Sequence, residues 1–103
     1  MPRTPFRPSA WREVHEATWY LEEQSNADVA ERFLSNLMTS CDALARMPLM
    51  APTCGFKRPD LKNVRRWPVK GFENWLIFFL PIVDSIEVLH VIHGARDIES
   101  MFG

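Results

Sequence analysis

Six cations crowd into fourteen residues of this chain. Lys57, Arg58, Lys62, Arg65, Arg66 and Lys70 stand against Asp60 alone, a local charge of +5. Lysine supplies a point charge, and arginine a planar fork that binds phosphate or carboxylate in a bidentate way. Contact with phosphates or with an acidic protein surface is one reading of this segment. A solvated loop and strand edge is the other. Consecutive strand residues point to opposite faces, so at most one of Arg65 and Arg66 faces the interior, where it requires a partner.

Histidine is the second chemical resource. His90 and His93 lie near the chain's end, followed by Gly94 and Arg96, while His15 falls far upstream. Imidazole titrates near neutrality and suits general acid–base work. Three apart on a strand, His90 and His93 face opposite ways and form no metal pair by themselves. A structural histidine at a strand end is the simpler role for His93. The two cysteines, Cys41 and Cys54, are too few for a metal site or a disulfide framework. Cys41 reads as a small core residue and Cys54 as a loop thiol. No glycine-rich phosphate loop, nucleophile elbow or paired carboxylate motif is present, and no cofactor or metal is expected.

The aromatic residues divide. Trp67, Trp75, Phe78 and Phe79 fit a core. Trp11, Trp19 and Tyr20 combine area with a polar handle, as interface residues do. Trp19 and Tyr20 fall off the apolar stripe of their segment and are candidates for a partner surface.

These residues need a frame to position them. Residues 10–24 repeat apolar side chains at helical spacing, with Ala10, Val14, Ala17 and Leu21 on one face and Ser9 as the expected cap. After Ser25-Asn26, which offers a second cap, residues 27–46 carry a broader arc from Val29 and Phe33 to Leu44 and Ala45. The short link predicts an antiparallel helical hairpin. Met47-Pro48 ends it. Residues 48–62 hold Pro48, Pro52, Gly55 and Pro59 without a period, and predict a long ordered loop with room for one helical turn.

The period then changes. Residues 64–70, 73–80 and 85–93 are rich in Val, Ile, Phe and Trp and predict three strands. Turns are expected at Lys70-Gly71-Phe72 and Pro81–Asp84, giving an antiparallel meander. A further helical turn is expected within 97–102. The proline-rich residues 3–8 allow at best an N-terminal edge strand. The expected fold class is α+β: a β-α-α-β-β-β order, with the hairpin packed on a C-terminal antiparallel three-strand sheet.

With 103 residues, 47% hydrophobic and 24% charged, one domain spanning 1–103 is expected. No apolar run spans a bilayer, and the first residues lack the apolar core of a signal peptide, so a cytoplasmic protein is expected. The net charge of -1 conceals an uneven chain: residues 1–56 carry -2, residues 57–70 carry +5 and residues 71–103 carry -4. A local patch steers an anionic partner even where the total is neutral.

Three stretches carry a family likeness: residues 64–72 (VRRWPVKGF), residues 75–79 (WLIFF) and residues 86–97 (IEVLHVIHGARD). They resemble the RelE/ParE toxin superfamily, and the His93-Gly94-Ala95-Arg96-Asp97 ending resembles its ParE-type branch. Residues 30–34 and 44–48 match the same branch more loosely. The resemblance implies a toxin of a type II toxin–antitoxin pair, held as a hetero-oligomer by a cognate antitoxin encoded beside it. DNA contact would then run only through the antitoxin, with no membrane partner. ParE-type toxins inhibit DNA gyrase, a protein-directed activity without catalysis. RelE-type relatives are ribosome-dependent mRNA endonucleases.

Departures from the pattern separate the branches. Phe79-Leu80 stands where many relatives carry Tyr-Arg, and His90 where relatives often carry Arg. The first change removes a hydroxyl and the second weakens a fixed charge, both useful for cleaving RNA. Low net charge also suits a protein target better than ribosomal RNA. The target-binding candidates are Arg65, Arg66, Lys70, His90, His93 and Arg96. Trp19 and Tyr20 are the antitoxin-binding candidates. The alternatives are an endoribonuclease using several of those basic residues, or an antitoxin-binding module without toxicity.

Overall fold

A computed structural model of the chain describes residues 4–94 and 98–102. Two helices precede a three-strand antiparallel sheet, as the sequence periods predict. Helix α1 spans Pro8–Gln24 and α2 spans Ala27–Arg46. Strands β1 (Arg65–Val69), β2 (Phe72–Ile82) and β3 (Ser85–His93) follow, in spatial order β1-β2-β3.

The start of α1 differs from expectation. Ser9 does not cap it. Arg7 occupies the cap position without a side-chain bond, and Pro8 opens the first turn. Proline's fixed φ suits that position and its missing N–H costs nothing there. The helix therefore begins before Ser9, whose hydroxyl instead donates to the Leu89 carbonyl at 3.3 Å. Asn26 caps α2 as expected, its side-chain oxygen accepting from the Val29 N–H at 2.9 Å.

The N-terminal segment forms no strand among the described residues. It makes one parallel bridge, Phe6 to Val88, in which Val88 N–H donates to Pro5 O and Arg7 N–H to Val88 O, both at 2.9 Å. Pro5 lacks a donor, and Pro8 already belongs to the helix, so the ladder cannot extend. The 48–62 loop carries two 3-10 turns, Pro48–Met50 and Pro59–Leu61, and a third follows at Glu99–Met101.

Strand β2 also runs further than expected. It continues through Pro81 to Ile82 and turns at Val83-Asp84, with Asp84 at φ 59°. Strand β1 begins opposite Phe79, so Pro81 lies in a two-stranded ribbon where proline is tolerated. Aspartate is among the few residues that accept the left-handed region.

The sheet is covered on both faces, which explains the nearly unbroken apolar run of β2. Ile77 and Phe79, with Val69, Val88 and Val91, meet Val14, Phe33, Leu37 and Leu44 of the helices. Phe78 points the other way with Leu89 and Ile92, under Leu61, Val64 and Phe102. The loop and the C-terminal turn thus form the second cover. Glu99 secures it by accepting from the Lys57 N–H (2.9 Å) and the Arg58 N–H (3.3 Å). A register slip between Phe78 and Phe79 leaves Leu89 without a cross-strand partner. This bulge bends β3 where α1 crosses it.

The outer edge of β1 has little left to offer. Val64 N–H donates to Leu61 O and Arg66 N–H to Pro52 O, while Val64 O accepts from Cys54 N–H. Pro68 has no N–H, and Lys70 N–H donates to Ser40 Oγ at 3.1 Å. Every outward donor is occupied or missing, which protects the edge against strand addition.

Candidate functional site

A groove of about 1380 Å³ runs between the middle of α1, from Arg12 to Tyr20, and the end of the sheet where β2 begins and β3 finishes. Its apolar floor is aromatic. Tyr20 lies 6.3 Å from Trp75, and Trp75 lies 5.4 Å edge-on from His93, measured between ring centroids. Phe33 of α2 supports Trp75 from beneath at 5.5 Å. Trp19, 67% exposed, stands on the rim. Arg12, His15 and Glu16 from α1 and Glu73 and Asn74 from β2 supply a polar margin. An apolar floor with a polar rim is the general make-up of protein interfaces. The two residues that fell off the α1 stripe, Trp19 and Tyr20, both line it.

Strand β1 makes the opposite use of its charges. Arg65 turns inward and donates to the Ala51 carbonyl. Arg66 points outward and is exposed. This is the division that strand alternation requires. Lys70 is also exposed, at the β1–β2 turn, where Asn36 Nδ2 donates to its carbonyl at 2.9 Å. Gly71 beside it has φ 80°, which favours glycine.

His90 is committed elsewhere. Its Nδ1 lies 3.0 and 2.9 Å from the two carboxylate oxygens of Glu13 on α1. The same carboxylate accepts from the Val91 N–H at 3.1 Å. A carboxylate only accepts, so Nδ1 carries the donated proton. Phe102 packs edge-on against the other side of the imidazole, with centroids 4.8 Å apart. Glu13 is buried and escaped notice in the sequence, where charge alone suggests an exposed helix face. Its position held a signal: three residues after Ala10 and four before Ala17, it sits on the apolar stripe.

The six target-binding candidates therefore do not converge. Arg65 and His90 lie on β1 and β3, with β2 between them, a backbone separation of about 10 Å. Arg65 is bonded to a loop carbonyl, His90 is paired with a carboxylate, and His93 is in the aromatic groove. Arg96, with its neighbours Ala95 and Asp97, lies outside the described residues. Among the described residues no group of three or more His, Cys, Asp or Glu side chains is placed to hold a metal ion. Burial pushes the Cys54 thiol up to about 11 despite the opposing pull of Arg66, so it is not a thiolate at neutral pH.

Residues 5–98 match the family described as ParE toxin of type II toxin–antitoxin system, parDE. The chain belongs to the ParE toxin family. No curated protein sequence matches it significantly. Among solved structures, one described as the chromosomal ParDE TA system from P. aeruginosa superposes with a TM-score of 0.70. The alignment covers 90% of this chain and 96% of that one, at 11% identity. At that identity the likeness speaks for the fold. The ParE-type resemblance read in the sequence agrees with this family, and the α+β frame agrees with the sequence periods. No helix among the described residues of this ParE-family chain is long and apolar enough to cross a membrane.

Proposed function

We propose that this ParE-family chain is the toxin of a two-protein system, inhibiting DNA gyrase by binding it and neutralised by a cognate antitoxin. The observation that carries the reading is the family match over residues 5–98. Two features of the site favour a binding mode of action over catalysis. The described basic residues are spread over separate strands, and the imidazole of His90 is occupied by Glu13. RNA cleavage requires several such groups around one phosphate.

The antitoxin occupies the aromatic groove, with Trp19 and Tyr20 as contact residues beside Trp75 and His93. Lys70 stands at the same end of the molecule and serves that contact. Arg66 is the residue assigned to the target, since its guanidinium is exposed and takes part in no ion pair among the described residues. Arg65 and His90 act as supports, through Ala51 and Glu13. The toxin works in the cytoplasm, and DNA is reached only through the antitoxin.

Induction of the chain alone in growing bacteria, and then together with the neighbouring antitoxin gene, tests this reading. Growth arrest that the second gene relieves is the expected result. Unimpaired growth with soluble, folded chain would identify a module without toxicity. Cleaved mRNA in translating extract would restore the endoribonuclease alternative.

A further inference from the structure

A second surface lies far from the aromatic groove. Where α2 ends, Met47 is 63% exposed, and within the following 3-10 turn Leu49 is 72% exposed and Met50 38%. Three large apolar side chains in four residues is more than isolated surface leucines require. Arg46 precedes them, exposed. The backbone of β1 runs beside the residues that follow: Arg66 N–H donates to Pro52 O, two residues beyond Met50, and the neighbouring Arg65 bridges Thr53 and bonds Ala51. Neither Arg46 nor Arg66 takes part in an ion pair among the described residues. From Phe33, beside the groove, to Arg46 is thirteen residues of helix, about 20 Å.

We infer that Met47, Leu49 and Met50, flanked by Arg46 and Arg66, form the surface by which the toxin engages its target, and that the target presents apolar side chains among carboxylates. The inference rests on the target-directed reading above and gives it a location. Charge complementarity selects the occupant: Arg46, adjoining the apolar turn, and Arg66, exposed on the strand that pairs with the residues just after it, carry positive charge with no ion pair among the described residues, which favours an acidic partner and disfavours a basic one. The closed edge of β1 adds that such a partner is read through side chains, because no backbone donor is left there for strand pairing. Flexible methionines adapt to a partner's shape and suit such a contact.

The test compares wild type, Leu49→Asp, Leu49→Lys and Arg66→Glu, each shown to be folded by circular dichroism and thermal unfolding. Inhibition of purified gyrase is read first. Leu49→Asp and Arg66→Glu are expected to lose about tenfold or more in potency, while Leu49→Lys loses clearly less, because an acidic partner repels only the first two. Equal potency in all four, or a greater loss for Leu49→Lys, overturns the surface and leaves gyrase as target. If wild type does not inhibit gyrase, the target reading fails, and growth arrest by the same four chains decides the surface. Arrest lost with Leu49→Asp and kept with Leu49→Lys supports it for another acidic target. Any other growth pattern overturns it. Binding of wild type, but not Leu49→Asp, to phosphatidylglycerol vesicles would replace the protein partner by a lipid surface. Self-association lost in Leu49→Asp would replace it by a second copy. Either result overturns the proposal.

Discussion

Glu13 and His90 are 77 residues apart in sequence and joined by both carboxylate oxygens, at 3.0 and 2.9 Å from Nδ1. The bond ties α1 to the bulged part of β3, and the third interaction, from Val91 N–H, closes a strand-edge donor that water cannot reach. One side chain thus positions a helix, an imidazole and a sheet edge.

Removing that carboxylate leaves two buried polar groups without a partner. Glu13→Ala is expected to lose about 3 kcal/mol of stability, and Glu13→Gln, which keeps an acceptor for Val91, about 1–2 kcal/mol. Urea unfolding of both variants measures this. An unchanged midpoint for Glu13→Ala would show that the pair contributes nothing net.

Gly71 is a backbone requirement. Its φ is 80°, and a Cβ there would meet Asn36 Nδ2 at 3.0 Å, the group that holds the Lys70 carbonyl. Gly71→Ala is expected to cost about 1–2 kcal/mol through strain and a displaced Asn36. Asn36→Ala alone should cost less, and the difference between the two isolates the strain.

The cysteines give a pH prediction. Burial pushes Cys41 up to about 12, with Asp42 adding to the rise, so the native state keeps a proton that the unfolded thiol releases near 9. Stability is therefore complete below pH 9 and declines as pH rises from 9 towards about 12. Cys41→Ala should show a shallower decline in urea midpoint over that window. Alkylation by iodoacetamide should be slow at Cys54 near neutral pH and faster towards pH 11, and should spare native Cys41.

Trp19→Ala and Tyr20→Ala carry the groove prediction. Neither residue is in the core, so thermal unfolding should barely move. Affinity for the cognate antitoxin should fall about tenfold or more for each if they are central to the contact. Titration calorimetry against purified antitoxin checks this.

The elements that could be foreseen are those whose own residues set their limits. Asn26 caps α2 and Met47-Pro48 ends it, so Ala27–Arg46 was legible to the residue. Strand β3, between the Val83-Asp84 turn and Gly94, was equally clear. Expectation failed where the deciding contact was distant. Ser9 lost its cap role because Pro8 already opens the helix and Leu89 accepts its hydroxyl. Pro81 stayed in β2 because β1 starts only opposite Phe79. Glu13 was missed because its partners lie on β3. Among the site candidates, alternation separated Arg65 from Arg66 and the broken stripe singled out Trp19 and Tyr20. The contacts of Trp75 with Tyr20 and with His93 needed the folded sheet.

Protein-directed inhibition of gyrase is tested by a supercoiling assay with purified components. Relaxed plasmid, gyrase, ATP and increasing folded toxin should show supercoiling lost as toxin rises, and restored when cognate antitoxin is added in equimolar amount. Full supercoiling at saturating folded toxin would rule out gyrase as the target.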